Sequence, residues 1–227
     1  MTSKPLRIRV ADGSFHIEGY PDAVALKQLK PHEARRLGGL TLHVYDLGIA
    51  LAAVNSMVTD AMTPALTECM WTAALVTYFK CFGVGDRLQL SADKIFKAEP
   101  QARKNHHYFR QLRNNHIVHD VNAYSQTMTG VAINREGMDY KVADVLSARV
   151  TVQTAAQQNA TCLGQLVQHA LNWVTAERDA LYDQLGSEYE KLTYAALAAL
   201  PSVEPYLLPI PDEVGTNRVG EPIGKRR

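Results

Sequence analysis

Leu163, Val167, Ala170, Val174, Leu181 and Leu185 recur at the spacing of one helix face, and Leu166, Leu171 and Trp173 widen the stripe. A strand alternates its side chains between two faces, so it cannot bury such a set together. The segment therefore predicts a long helix near 155–187 that packs along its whole length. Such a helix needs partners, and the chain supplies them upstream. Leu47, Ala50, Leu51, Val54 and Val58 keep helical spacing and predict a helix near 40–59. Thr63 can cap a second, with Pro64 at its first position, running to about Phe82 and ended by Gly83 and Gly85. Pro100 opens a third over 100–119, after a short one near 92–97.

Two stretches change period. Leu6, Ile8 and Val10 alternate with polar residues, Asp12-Gly13 supplies a turn, and Phe15 and Ile17 alternate again, which predicts a β-hairpin over 5–19. Val131, Ile133, Tyr140, Val142, Val150 and Val152 predict β-structure near 127–152. Residues 21–39 hold Pro21, Pro31 and Gly38-Gly39 and read as a connection with at most a short helix around Ala23 to Leu29. The expected organisation is an N-terminal hairpin and linker over 1–36, a helical domain over 37–200 carrying the β insertion, and a Pro/Gly-rich tail over 201–227. The fold class is mainly α, an up-and-down helical bundle with small β-hairpin additions.

Composition removes several function classes. The net charge of +1 gives no global field for nucleic acid, so any such binding is local. Cys69, Cys81 and Cys162 are widely spaced, without a CxxC pair, and read as small buried hydrophobes in a reducing compartment. The start lacks the apolar core of a signal peptide, and His43, Asp46 and Asn55 interrupt the apolar run Leu40–Val58, so a cytoplasmic protein without a membrane span is expected. No HExxH, ExxH or GxSxG occurs. The nearest approach to a phosphate loop, Gly215 to Gly220, is followed by Glu221 where lysine is needed.

One local patch stands out. From Pro100 to His119 there is no acidic residue, while Arg103, Lys104, Arg110 and Arg113 stand among His106, His107, His116 and His119. Adjacent histidines point about 100° apart on a helix, so this run is no ready metal site. Arginine forks bind phosphate through paired hydrogen bonds, and histidine exchanges protons near neutral pH. With Phe109 at zero on a helical wheel, Leu112 lies at about −60°, His116 at about −20° and His119 at about −80°, so both histidines share the apolar stripe. Arg113 falls about 120° from His119 and roughly 9 Å away along an uninterrupted helix. The two can converge on one phosphate only if the helix ends or bends between them, or if a second copy completes the site.

The run Arg113-Asn114-Asn115-His116-Ile117-Val118-His119-Asp120 resembles the signature of the HEPN superfamily (higher eukaryotes and prokaryotes nucleotide-binding): arginine, a polar residue directly after it, then histidine. Arg113, Asn114 and His119 match it, and the helical frame matches loosely. The resemblance implies a HEPN-like helical bundle that dimerises and brings two motifs together. It also implies a metal-independent endoribonuclease of a toxin–antitoxin or defence type, cleaving RNA through its own 2′-hydroxyl. On that footing Arg113 holds the phosphate, His119 moves the proton and Asn114 positions the site. Arg110, His116 and Asp120 orient the substrate. The partners are single-stranded or loop RNA, a second copy of the chain in an isologous interface that includes His116 or His119, and an antitoxin or operon partner. No cofactor is expected. One subgroup carries a tyrosine two residues after the histidine for modification by a partner; here Val121 stands there, so that control is not expected. The competing reading is a non-catalytic dimeric helical module that binds a nucleotide, RNA or partner protein through the same arginines.

Overall fold

The computed structural model describes residues 8–11, 14–59, 62–85, 87–119, 121–203 and 214. The first part of the expected N-terminal hairpin, its Asp12-Gly13 turn and nearly all of the tail lie outside the described residues. The chain divides into two compact units, one of residues 1–39, 86–88 and 178–227, the other of 40–85 and 89–177. Its elements run β1 (Ile8–Ala11), β2 (Ser14–Ile17), α1 (Pro31–Thr59), α2 (Pro64–Lys80), α3 (Ala92–Ile95), α4 (Pro100–Leu112), a π-helical turn (Arg113–Val118), β3 (Ser125–Ile133), β4 (Val142–Thr151), α5 (Gln157–Glu190) and α6 (Tyr194–Ala199). The protein is mainly helical, as the apolar periods predict.

The second unit holds the helical core. Leu47, Ala50 and Val54 from α1, Trp71, Leu75 and Tyr78 from α2, Phe109 and Leu112 from α4, and Leu163, Val167, Ala170 and Val174 from α5 are all buried. The Trp71 and Phe109 rings meet edge to face with centroids 5.8 Å apart, and the Trp71 indole N–H donates to the buried Thr154 hydroxyl at 3.1 Å. Gly164 lets α5 approach α1 closely, since a Cβ there would lie 3.1 Å from Val54 Cγ1. The stripe on α5 is thus buried, as its period requires, and α5 meets α1 at Gly164 and α4 where Asn105 donates to Cys162 Sγ at 3.0 Å.

Thr63 caps α2 as expected, its hydroxyl accepting from the Leu66 N–H at 3.3 Å with Pro64 following. Thr63→Ala should lower stability by about 1 kcal/mol, because it strands one of the helix's orphan N–H groups. Thermal unfolding of the variant, with Thr63→Ser as the retained-cap control, measures that loss.

α1 departs from expectation in its start. It begins at Pro31 and runs through Gly38-Gly39, and no helix forms around Ala23 to Leu29. Two contacts explain it. Pro31 sits in the first turn, and the Glu33 carboxylate reaches back to the Lys30 N–H at 3.2 Å, the reciprocal half of a capping box. Gly39 then serves close packing, since a Cβ there would lie 2.8 Å from Leu88 Cβ. The segment before Pro31 is instead extended: Gln28 N–H donates to Pro201 O at 2.8 Å and Val203 N–H to Leu26 O at 2.9 Å. Glu33 is buried and accepts from the Tyr189 hydroxyl at 2.8 Å, and that bond chiefly holds its carboxyl below the usual range.

The span Pro31–Val58 is long and apolar enough to cross a membrane, and 44 % of its apolar window is buried within the protein. Asp46 in that window is buried and pairs with Lys80 Nζ at 3.2 Å.

Two further departures are local. A short helix, α6, forms where none is expected, capped by the Thr193 hydroxyl on the Ala196 N–H at 3.2 Å. The expected α-helix over 100–119 keeps α geometry only to Leu112 and then widens.

Candidate functional site

α4 is positioned by one face. His106, Phe109 and Leu112 follow one another at three-residue steps and are buried, while Arg103, Lys104, His107 and Arg110 are exposed. His106 is therefore part of the core rather than of the basic patch. Its ring stands among Tyr78, Phe79, Phe82 and Phe96, with centroids 5.7, 5.0, 4.6 and 5.9 Å away. Tyr78 Oη lies 2.9 Å from His106 Nδ1. Burial holds the Tyr78 phenol well above its ordinary value, so it keeps its proton and pairs with the neutral His106 ring. Burial first, then the nearby Arg110 and His107, lower the His106 pKa to about 4.

At Arg113 the helix changes form. Residues Arg113–Val118 make a π-turn, with bonds reaching five residues instead of four. Asn114 and Asn115 compete for backbone groups and are poor helix formers, which lets the turn open. The Val121 N–H closes it by donating to the Asn115 carbonyl at 2.8 Å. π-turns inside helices are uncommon and recur at functional sites.

This widening sorts the motif residues. Arg113 is half-buried and donates from Nη1 to Asn114 Oδ1 at 2.9 Å. Its Nε is buried with no hydrogen-bond partner among the described residues. His116 is half-buried, its ring edge to face with Tyr124 at 5.6 Å. His119 closes the π-turn at φ −113°, ψ −13°, and is exposed. The wheel places His116 and His119 on one stripe; the extra residue in the wider turn breaks that register, so only His116 remains turned inward. Arg110 is exposed on the last turn of α4. Asp120 lies outside the described residues. The structure thus brings Arg113 to Asn114 and leaves His119 in solvent at the end of the same turn.

Sequence reasoning did not place Tyr124 or Tyr108 in the site. Tyr124 N–H donates to Asn122 Oδ1 at 3.1 Å, an Asx turn that carries the chain from the π-turn into β3. Burial, followed by the charge and hydrogen bond of Tyr124, raises the Tyr108 pKa. The clue was present in the Asn122-x-Tyr124 spacing directly after the motif.

A second constellation lies between α1 and α5. An open groove of about 560 Å³ is lined by Asn55, Gln165, Gln168, His169 and Asn172 over an apolar floor. His169 Nδ1 lies 3.0 Å from Glu99 Oε1 and its Nε2 3.1 Å from Ile95 O. Both ring nitrogens are committed to acceptors, which makes His169 a strut for α3 and the start of α4. Among the described residues no three His, Cys, Asp or Glu side chains group as a metal site would. Comparison of the chain with protein families, with curated proteins and with solved structures finds no match.

Proposed function

We propose that the chain is a metal-independent endoribonuclease of a toxin–antitoxin or defence type, a HEPN-like bundle acting on single-stranded or loop RNA in the cytoplasm. The observation that carries it is the π-turn: it gathers Arg113 and Asn114 at its start and presents His119 to solvent at its end. The helix therefore departs from α geometry between arginine and histidine and ends at His119, which is one of the two conditions under which both could reach one phosphate. In the reaction the 2′-oxygen attacks phosphorus, its proton passes to a base, the P–O5′ bond breaks and the 5′-oxygen takes a proton. His119 serves the proton transfers. Arg113, aimed by Asn114, stabilises the phosphorane charge, and Arg110, His116 and Asp120 orient the strand. The chain acts as a homodimer with His116 or His119 in its interface, and an antitoxin restrains it.

The test is RNA cleavage in excess EDTA, with product ends analysed. Products ending in 2′,3′-cyclic phosphate are expected, and cleavage abolished by EDTA excludes the mechanism. One observation favours a non-catalytic module instead: Arg113 is half-buried and already engaged by Asn114, a geometry suited to holding an anion without turnover. RNA that binds and stays intact would establish that module.

A further inference from the structure

β3 and β4 form a two-stranded antiparallel sheet that nothing among the described residues covers. Every residue of β4 is exposed, and so is all of β3 between Gln126 and Val131. Met128 is 65 % exposed, Val145 70 % and Leu146 54 %. An isolated hairpin is marginal in water unless a further strand or a helix joins it.

The two outer edges differ. The Val152 N–H donates to Tyr124 O at 2.8 Å, and Ser125 pairs with Thr151, Gln126 with Val150 and so on toward the tip. That phase turns the even residues of β3 toward β4 and directs the N–H and C=O groups of Ser125, Thr127, Thr129 and Val131 outward. On β4 the outward Val145 N–H is taken by its neighbour, the Asp144 carboxylate, at 2.7 Å, and the strand carries two charges, Asp144 and Arg149. β3 reads SQTMTGVAI, without charge or proline. The edge of β4 is guarded and that of β3 is open.

Gly130 supplies an independent sign. A glycine inside a strand weakens it and marks a bulge, a bend or a close approach by another backbone. The irregularity of this hairpin lies at Ala132/Ile133, and Gly130 has no positive φ. A Cβ built on it meets nothing within 4 Å. Nothing among the described residues requires glycine there.

We propose that the open edge of β3 pairs antiparallel with the same edge of a second copy, about a twofold axis at Thr129, joining two hairpins into a four-stranded sheet. Thr129 is the middle of the nine-residue strand, so this register gives the fullest overlap and hydrogen-bonds the outward residues to one another. It sets Met128 opposite the second copy's Gly130, and the reverse, which fills the empty surface twice. A symmetric interface demands such self-complementarity, and an uncharged strand has no like charges to oppose itself. β4 pairing with its own copy would have to displace the Asp144 bond. The same register continues to place Tyr124 opposite the second copy's Asn134, so the hairpin tip with Arg135 and Lys141 comes to the root of the first hairpin, beside His116. Each motif thus faces the other copy's tip rather than the other motif. RNA is the less fitting occupant of the hairpin, because Arg135 and Lys141 at the tip are balanced by Glu136 and Asp139.

The inference stands whether or not RNA is cleaved at Arg113. Light scattering at micromolar concentration should give a dimer mass for the wild type. Thr129→Lys places two ammonium groups on the axis and should halve that mass, while Ser147→Lys, across the same hairpin on the guarded strand, should leave it dimeric. Hydrogen-bonded antiparallel pairs set Cα atoms about 5.5 Å apart, within disulfide range. Thr129→Cys in a Cys69→Ser background should therefore form a dimer band on oxidation, and Ser147→Cys should not. A monomeric wild type, a dimer insensitive to Thr129→Lys, or equal loss with Ser147→Lys would overturn the proposal. Absence of the Thr129→Cys band would overturn its register. A monomeric wild type would also remove the dimer from the proposed nuclease, whereas the Thr129 variants test this edge alone and the cleavage assay tests Arg113 and His119 alone.

Discussion

His119→Ala should lower RNA cleavage roughly 100-fold or more while leaving the fold intact. A positioned general acid–base group contributes about 10²- to 10⁴-fold, and alanine can neither take nor return a proton. His119 is exposed at the end of the π-turn, so its removal opens no cavity, and a folded, inactive protein is the expected outcome. Arg113→Ala should cost a similar factor, since stabilising developing charge is commonly worth a few kcal/mol. Arg113→Lys keeps the charge but loses the planar fork that meets Asn114 and the phosphate, and it should fall between wild type and alanine. Single-turnover cleavage of a labelled RNA, with circular dichroism on the same samples, measures all three. Cleavage that neither substitution changes would trace the activity to another protein, and the site would revert to a binding role.

The second large effect is on stability in acid. The fold buries the neutral His106 ring among four aromatic rings and lowers its pKa from 6.5 to about 4. The unfolded chain protonates near 6.5, whereas the folded chain resists until about 4. A lowered histidine pKa means that the neutral form is favoured in the fold. Its contribution is therefore fully present above pH 6.5 and is lost progressively as the pH falls from 6.5 through 4. The whole difference corresponds to about 3 kcal/mol, a large part of the stability of an ordinary domain. Urea denaturation at steps between pH 7 and pH 4 should show this fall. His106→Gln, which cannot titrate, should start less stable at pH 7 and lose that much less on acidification. Parallel pH dependence in the two proteins would contradict the assignment.

The two predictions rest on histidines thirteen positions apart in one run, and the sequence does not separate them. His106 and His119 both look like members of a basic stretch free of acidic residues. Their fates diverge because α2 and the turn after it present Tyr78, Phe79 and Phe82 to one of them, while the π-turn rotates the other off the buried stripe. Neither cause is local to the residue concerned.

What was legible came from short-range rules. Apolar spacing located most of α1, α2 and α5, proline located the start of α4, proline and threonine located the start of α2, and alternation located both hairpins, because helix and strand periods are properties of the backbone itself. Arg113 and Asn114, adjacent in the chain, bond through their side chains. The rest depended on contacts between distant residues. Gly38-Gly39 looks like a break until Leu88 is found against Gly39. Asp46 looks like a polar interruption until Lys80 reaches it. A third helix written as continuous α becomes a π-turn once the chain must bring Val121 back to Asn115 and set Tyr124 on His116. Alternating residues predict strands but not whether anything covers them, and only the structure showed β3 and β4 bare, one edge guarded by Asp144 and the other open. Period and propensity act over a few residues and survive in the sequence; burial and register are set by partners far along the chain, and those are chosen only when the whole core closes.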